Sequence, residues 1–151
     1  VDWTASGNRI VARITGDNPF NSIINIYNAN GSFVQQLVND IPGSTGGPMF
    51  SIDGNFVLYT HDISEFESPD GRQLDAHIFL KNVMTGAEID LSINKPAGTN
   101  DLDPRFSPDG SKVIFTNTNN DGISTKNVLI MTLEGEGRTV LFEDAEMPEW
   151  R

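Results

Sequence analysis

Residues 104–116 read PRFSPDGSKVIFT, and the chain has already used the phrase at residues 48–60, PMFSIDGNFVLYT. The opening VDWTASGNRIVARI keeps the same rhythm, and residues 148–151, PEWR, begin it again. Aligned on its aromatic, each copy starts at Trp3, Phe50, Phe106 or Trp150, at intervals of 47, 56 and 44 residues. A short strand ends at that aromatic, and a tight turn follows: TASG, SIDG or SPDG. Pro108 presets φ for such a turn, Asp53 and Asp109 tolerate its geometry, and the closing glycine supplies positive φ.

After each turn comes an apolar strand, RIVARI, FVLYT or KVIFT, then a polar loop and a third strand, IINIYN, HIFLKNV or VLIMTL. A turn containing Gly31, Gly86 or Gly135 leads to the fourth strand, FVQQL, AEIDL or TVLF. No helical periodicity intervenes. A period of about 40–50 residues made of short strands is the signature of β-propeller blades. The sequence therefore predicts an all-β fold of three four-stranded antiparallel blades, over residues 1–47, 48–103 and 104–147. Residues 148–151 are expected to open a fourth. The second and third strands are apolar on both faces, as at Val57, Leu58 and Tyr59 or Val113, Ile114 and Phe115. Sheets stacked face to face require this. A β-sandwich is the main rival, but it does not predict one turn motif repeated in register.

The chain has 151 residues, enough for one domain with a core, and no cysteine. Disulfides, thiolate metal sites and thiol nucleophiles are thereby excluded, and an oxidising compartment is tolerated. Ten basic residues against 21 acidic ones give a net charge of −11. That disfavours nucleic acid, whose phosphates call for clustered Lys and Arg, and suits cationic partners or metal ions. No apolar run is long enough for a membrane-spanning helix, and no membrane insertion is expected. The sequence starts at Val1 and shows no legible secretory signal, so the cell compartment is not read from these residues.

The stretch DLDPRFSPDGSKVIFT (101–116), with the IMTLEGEG that follows, resembles the TolB-type, WD-like propeller repeat. The second copy differs in having Ile52 for the motif proline, and the first lacks both Pro and Asp. The resemblance implies a propeller, usually six-bladed, with a binding role in the bacterial periplasm or cell envelope. Similar blades gate prolyl oligopeptidases and form part of some carbohydrate-active enzymes. Three blades are fewer than the four to eight of a closed propeller. The chain is then either a segment of a longer propeller or half of a homodimer that completes a six-bladed ring. Trp150 repeats the place of Trp3, which favours the segment.

In a propeller the loops between second and third strands share one face with the links between blades. Here those are residues 15–22, 61–75 and 117–126, with links 39–47, 94–103 and 143–147. They hold 13 of the 21 acidic residues, Asp40 among them, opposed by Arg72, Lys95 and Lys126. Polar loops alone explain such a count; the sharper reading is a negative face for a cationic peptide or protein patch. The long loop HDISEFESPDGRQLD is the expected specificity element. Its candidate contacts are Asp62, Glu65, Phe66, Glu67, Asp70 and Arg72.

No cofactor is expected, with a divalent cation as the alternative at two places. Asn117, Asn119 and Asp121 precede Gly122 at the alternating spacing of a calcium loop, although Val128 stands where a bidentate Glu belongs. An Asn-rich hairpin turn is the plainer account. His61 and His77 face each other across a predicted hairpin, with carboxylates near, a chemistry that suits zinc or manganese or simply anchors a loop. Asp101 and Asp103 are read as caps for backbone N–H groups of the neighbouring blade rather than a catalytic pair. The four repeated aromatics are read as inner-ring packing rather than a stacking platform. No G-x-S-x-G elbow or phosphate cradle occurs. The expected function is therefore non-catalytic partner binding, with the propeller part of a larger hydrolase or carbohydrate-active enzyme as the alternative.

Overall fold

The computed structural model describes residues 1–17, 19–39 and 42–150. Its twelve strands are β1 (Asp2–Trp3), β2 (Arg9–Ile14), β3 (Ile23–Asn28), β4 (Phe33–Val38), β5 (Thr45–Phe50), β6 (Phe56–Asp62), β7 (Ala76–Asn82), β8 (Glu88–Asp90), β9 (Thr99–Phe106), β10 (Lys112–Asn119), β11 (Asn127–Thr132) and β12 (Thr139–Phe142). They form three four-stranded sheets, β1-β2-β3-β4, β5-β6-β7-β8 and β9-β10-β11-β12, antiparallel throughout. Each sheet is a blade, its strands in chain order, as the repeat demands.

One turn builds the first hairpin of every blade. The glycine N–H closes it on the carbonyl three residues back: Gly7 to Thr4 at 2.8 Å, Gly54 to Ser51 at 2.9 Å and Gly110 to Ser107 at 2.8 Å. In the second and third copies the serine hydroxyl donates to the aspartate two residues on, Ser51 to Asp53 and Ser107 to Asp109, at 2.6 Å in both. The first copy has no aspartate there. Asn8 takes over, its Oδ1 accepting from the hydroxyls of Thr4 (3.0 Å) and Ser6 (2.8 Å). The turn survives the departure from the motif because any short side-chain acceptor serves.

Two-sided apolarity is spent on two interfaces. Alternate side chains of a strand point to opposite faces. Val57 and Tyr59 of β6 meet Val11, Ile24 and Ile26 of the first blade, whereas Leu58 joins Phe106, Val113 and Phe115 of the third. These residues are 7% exposed or less. Each contributes about 1.5–3 kcal/mol of burial. The middle blade is thus covered on both sides.

The inner strands are longer than the sequence predicts. Thr45–Gly47, expected as a flexible link, belong to β5, and Thr99–Asp103, expected as part of a link, belong to β9. Thr45 pairs with His61 and Asp101 with Asn117. Their low strand propensity is overridden by partners supplied from elsewhere in the chain. The expected opening strand of a fourth blade is not formed: residues 148–150 are irregular, and Arg151 lies outside the described residues, as does Asp40. A strand exists only with a neighbour to pair with, and none of the described residues pairs there. Trp150 instead lines a cavity with Trp3, Phe50 and Phe106. Phe50 and Phe106 are buried, while Trp3 is 51% exposed.

Candidate functional site

The loop between β6 and β7 stands on a rigid neck. Asp62, expected among the partner contacts, is only 2% exposed and is not available at the surface. Its Oδ1 accepts the N–H groups of Ser64 (3.0 Å) and Asp75 (3.1 Å), and its Oδ2 that of Leu74 (2.7 Å). A carboxylate buried at the base of a loop satisfies three backbone donors at once. The Ile63 N–H donates to the Asp75 carbonyl at 3.0 Å and closes the neck.

Farther out, residues 68–71 spell SPDG a second time, outside the repeat register. Four local residues suffice to rebuild the blade turn. Gly71 N–H donates to the Ser68 carbonyl at 3.0 Å, the Ser68 hydroxyl meets Asp70 at 2.8 Å, and Gly71 has φ 73° against 71° at Gly110. The Ser68 hydroxyl, followed by the Arg72 N–H and guanidinium, holds the Asp70 carboxyl below its ordinary value. Arg72 pairs with Asp70 at 3.1 Å and reaches the Asp121 carbonyl at 3.2 Å, tying this loop to the third blade. The tetrapeptide was itself a signal for this ordered elbow.

At the tip, Glu65 has φ 59°, and Phe66 is 72% exposed between exposed Glu65 and Glu67. Two clefts flank the loop. One of about 210 Å³ is lined by Phe20, Ser44, Phe66, Glu67 and Ser68; the other, about 410 Å³, lies between the second and third blades, against Gly46, Gly47, Asn100, Asp103 and Lys126. Arg72 and Gln73 line both, and Gln73 Oε1 is shielded from solvent without a hydrogen-bond partner. Each opposing cation of the loops is paired with an acid: Lys95 with Asp75 (2.6 Å), Arg72 with Asp70, and Lys126 with Glu146. Glu65 and Glu67 stay exposed at the tip, beside Phe66.

His61 and His77 are directly opposed across β6 and β7, as their hairpin placement predicts. Their nitrogens turn to separate partners. His61 Nε2 lies 2.9 Å from the Pro42 carbonyl; His77 Nδ1 lies 2.8 Å from Asp90 and its Nε2 3.4 Å from Asp75. Phe79 stacks with His77 at 6.4 Å between ring centres and with Tyr59 at 5.6 Å. Among the described residues, no group of three or more His, Asp or Glu is placed to hold a metal ion.

The residues with calcium-loop spacing diverge as well. Asn117, in β10, donates to Asp101 at 2.7 Å, and Asn119 donates to Ser124 at 2.9 Å. Asp121 accepts from the Ser124 hydroxyl and from the N–H groups of Ser124 and Ile123, which hold its carboxyl at about 2. This is the self-capped turn of an Asn-rich hairpin.

Asp101 has a larger part than its sequence reading gives it. Fully buried, it accepts both guanidinium nitrogens of Arg138 at 2.8 Å, Asn117 Nδ2, and the Ser92 hydroxyl at 2.6 Å. Ser92 Oγ accepts the Ile78 N–H of the neighbouring blade at 2.9 Å, so the expected cap is made through a hydroxyl. Arg138 also lies over the Phe115 ring at 4.8 Å. Asp103 is exposed, has φ 50°, and borders the larger cleft. No separate signal in the sequence pairs Asp101 with Arg138.

No protein-family model matches the chain, and no curated relative matches it. Solved structures do. The TolB structure from Agrobacterium tumefaciens superposes with a TM-score of 0.75 at 19% identity, covering 99% of this chain and 52% of that one. TolB from Acinetobacter baumannii gives 0.70 at 18%, covering 94% and 31%. An oligogalacturonate lyase in complex with manganese gives 0.64 at 16%, covering 93% and 38%. The chain thus spans about half or less of these proteins. Three stacked four-stranded sheets, one turn repeated at the head of each, and these superpositions establish the fold as a partial TolB-like β-propeller.

Proposed function

We propose that this chain is a non-catalytic interaction segment of a TolB-like propeller, binding a protein or peptide with a cationic contact patch through its loop face. The observation that carries this reading is Phe66, 72% exposed at the tip of a loop whose neck is fixed by Asp62. An exposed aromatic on a pre-organised support is a typical binding anchor, and Glu65 and Glu67 beside it supply the charge that selects a basic partner. Placement in the periplasm or outside the cell belongs to the same proposal and is supported by the TolB likeness and the lack of cysteine.

The test is selection from a displayed library of Lys/Arg-rich peptides, followed by titration against the chain and its E65Q/F66A/E67Q variant. Saturable binding that weakens at least about tenfold in the variant supports the reading. Unchanged affinity, or no saturable binder, counts against this loop.

The cleft of about 410 Å³ between the second and third blades favours a second reading, the propeller part of a carbohydrate-active enzyme or hydrolase. Oligogalacturonides that perturb amide signals of Gly46, Gln73 and Asn100 would support it; no perturbation would count against it.

A further inference from the structure

Five places in the chain set a short side-chain carbonyl directly before a glycine. Four are acids, Asp53–Gly54, Asp70–Gly71, Asp109–Gly110 and Asp121–Gly122; the fifth is an amide, Asn30–Gly31. Every other asparagine is followed by a residue with a side chain. Such pairs can cyclise, because glycine puts no Cβ in the way when its own nitrogen approaches the preceding Cγ. At all four aspartates a serine hydroxyl leads the donors that hold the carboxyl below its ordinary value: Ser51, Ser68, Ser107 and Ser124 in turn. An ionised carboxylate offers no leaving group and repels an incoming nucleophile. Those four pairs are protected.

At Asn30 the same serine chemistry meets an amide. The residue lies in the exposed turn between β3 and β4, and its Oδ1 accepts the Ser32 N–H at 3.0 Å and the Ser32 hydroxyl at 2.8 Å. Ser32 Oγ accepts in turn from Asn28 Nδ2 at 2.9 Å, a chain of hydrogen bonds that polarises the Asn30 carbonyl. Donors that merely hold the charge of a carboxylate make an amide Cγ more electrophilic, and they stabilise the oxyanion formed when it is attacked. Among the described residues, Asn30 Nδ2 donates to nothing and is free to leave. Gly31 has φ 84°, and nothing lies within 4 Å of where its Cβ would be. The Asn28 N–H to Ser32 carbonyl bond (2.9 Å) and the Ala29 N–H to Asn8 carbonyl bond (3.0 Å) pin the turn on either side of this pair. The Gly31 N–H rests on the Asn28 carbonyl at 2.9 Å, a bond that water replaces at little net cost in an exposed turn.

We propose that the β3–β4 turn is a self-modifying site, where Asn30 cyclises onto the Gly31 nitrogen and reopens as aspartate or isoaspartate, with Ser32 stabilising the reacting carbonyl. The Gly31 nitrogen loses its proton to solvent hydroxide and bonds to Asn30 Cγ. The oxyanion forms at Oδ1, between the two Ser32 donors. The Cγ–Nδ2 bond then breaks, Nδ2 takes a proton from water, and ammonia leaves a five-membered succinimide. Water opens that ring at Cγ to give aspartate, or at the backbone carbonyl to give isoaspartate, whose chain runs through the side chain. Either product adds one negative charge to a turn that has none, and isoaspartate lengthens the backbone beside the Tyr27–Phe33 edge contact.

Incubation of the intact folded chain at neutral to mildly alkaline pH, followed by mass spectrometric sequencing and isoaspartyl methylation, tests this. A gain of about one mass unit, with isoaspartate, is expected at Asn30 before any other asparagine. Its rate should rise about tenfold per pH unit, as loss of the Gly31 proton requires. Asn30→Gln abolishes the gain at this turn, and Ser32→Ala slows it at least about threefold. Asp109→Asn should create a second such site, since Ser107 and Ser111 then donate to an amide. Rates are compared among variants whose circular dichroism matches the parent's. No gain at Asn30, or faster isoaspartate formation at another asparagine or at any Asp–Gly pair, overturns the proposal. An unchanged rate in Ser32→Ala overturns the part assigned to Ser32.

Discussion

Asp101 and Arg138 meet in a two-point ion pair, both guanidinium nitrogens 2.8 Å from the carboxylate, inside the third blade and against its neighbour. The aspartate is fully buried, the arginine side chain is 13% exposed, and the Phe115 ring covers the guanidinium. The pair lies 37 residues apart in sequence and joins the innermost strand, β9, to the residue that precedes the outermost, β12.

Removing one partner strands the other charge in the interior. Asp101→Ala or Arg138→Met is expected to destabilise the chain by about 3–5 kcal/mol. The double replacement Asp101→Leu/Arg138→Met is expected to cost less than the sum of its parts. Urea unfolding of the four proteins in a double-mutant cycle checks both statements; additive costs would mean the two groups act separately.

Asp62 offers a second, more local test. Asp62→Ala leaves three N–H groups, those of Ser64, Leu74 and Asp75, without their acceptor. A loss of about 2 kcal/mol or more is expected. Hydrogen exchange at these three amides should accelerate more than in β10 and β11. Uniform acceleration along the chain would show that the neck is not a separate unit.

Acid should weaken the turns in a defined window. The Ser107 hydroxyl, then the N–H and hydroxyl of Ser111, hold Asp109 at about 2, against an ordinary 3.8, and Asp121 is held at about 2 by Ser124 and Ile123. Asp53 is lowered in the same direction, chiefly by the Ser51 hydroxyl. A carboxyl depressed in the folded state contributes stability that is fully present above its unfolded value. That contribution is lost as pH falls from about 4 to about 2. The urea midpoint should drop across that interval, and Asp109→Asn should flatten the drop. An equally steep fall in the variant would place the acid sensitivity elsewhere.

Gly135, in the turn between β11 and β12, sits against the middle blade. Its φ is 79°, and a Cβ there would lie 2.4 Å from the Leu91 carbonyl oxygen. Gly135→Ala should destabilise by about 1–3 kcal/mol from backbone strain, with the clash in addition. Gly137→Ala, at φ 66° with nothing near its Cβ, should show the strain alone. Thermal melts of the pair separate the two terms; equal losses would mean the blades part to admit the methyl group.

The sequence by itself determined what four or five adjacent residues can dictate. Ser107–Asp109–Gly110 and its copies specify a turn through their own hydroxyl, carboxylate and φ, and the apolar runs beside them specify strands buried on both faces. Repetition then specified blades, and Ser68–Asp70–Gly71 shows how far such chemistry carries, since it forms the same elbow inside a loop. Tertiary structure decided the rest, because it depends on partners far along the chain. Thr45–Gly47 and Thr99–Asp103 have little strand character of their own and became strand only beside β6 and β10. Asp62 looked like a surface acid until the two ends of its loop closed over it, and Asp101 like a simple cap until Arg138 folded onto it. Local side-chain chemistry is written in spacing; desolvation and pairing arise only when distant segments meet.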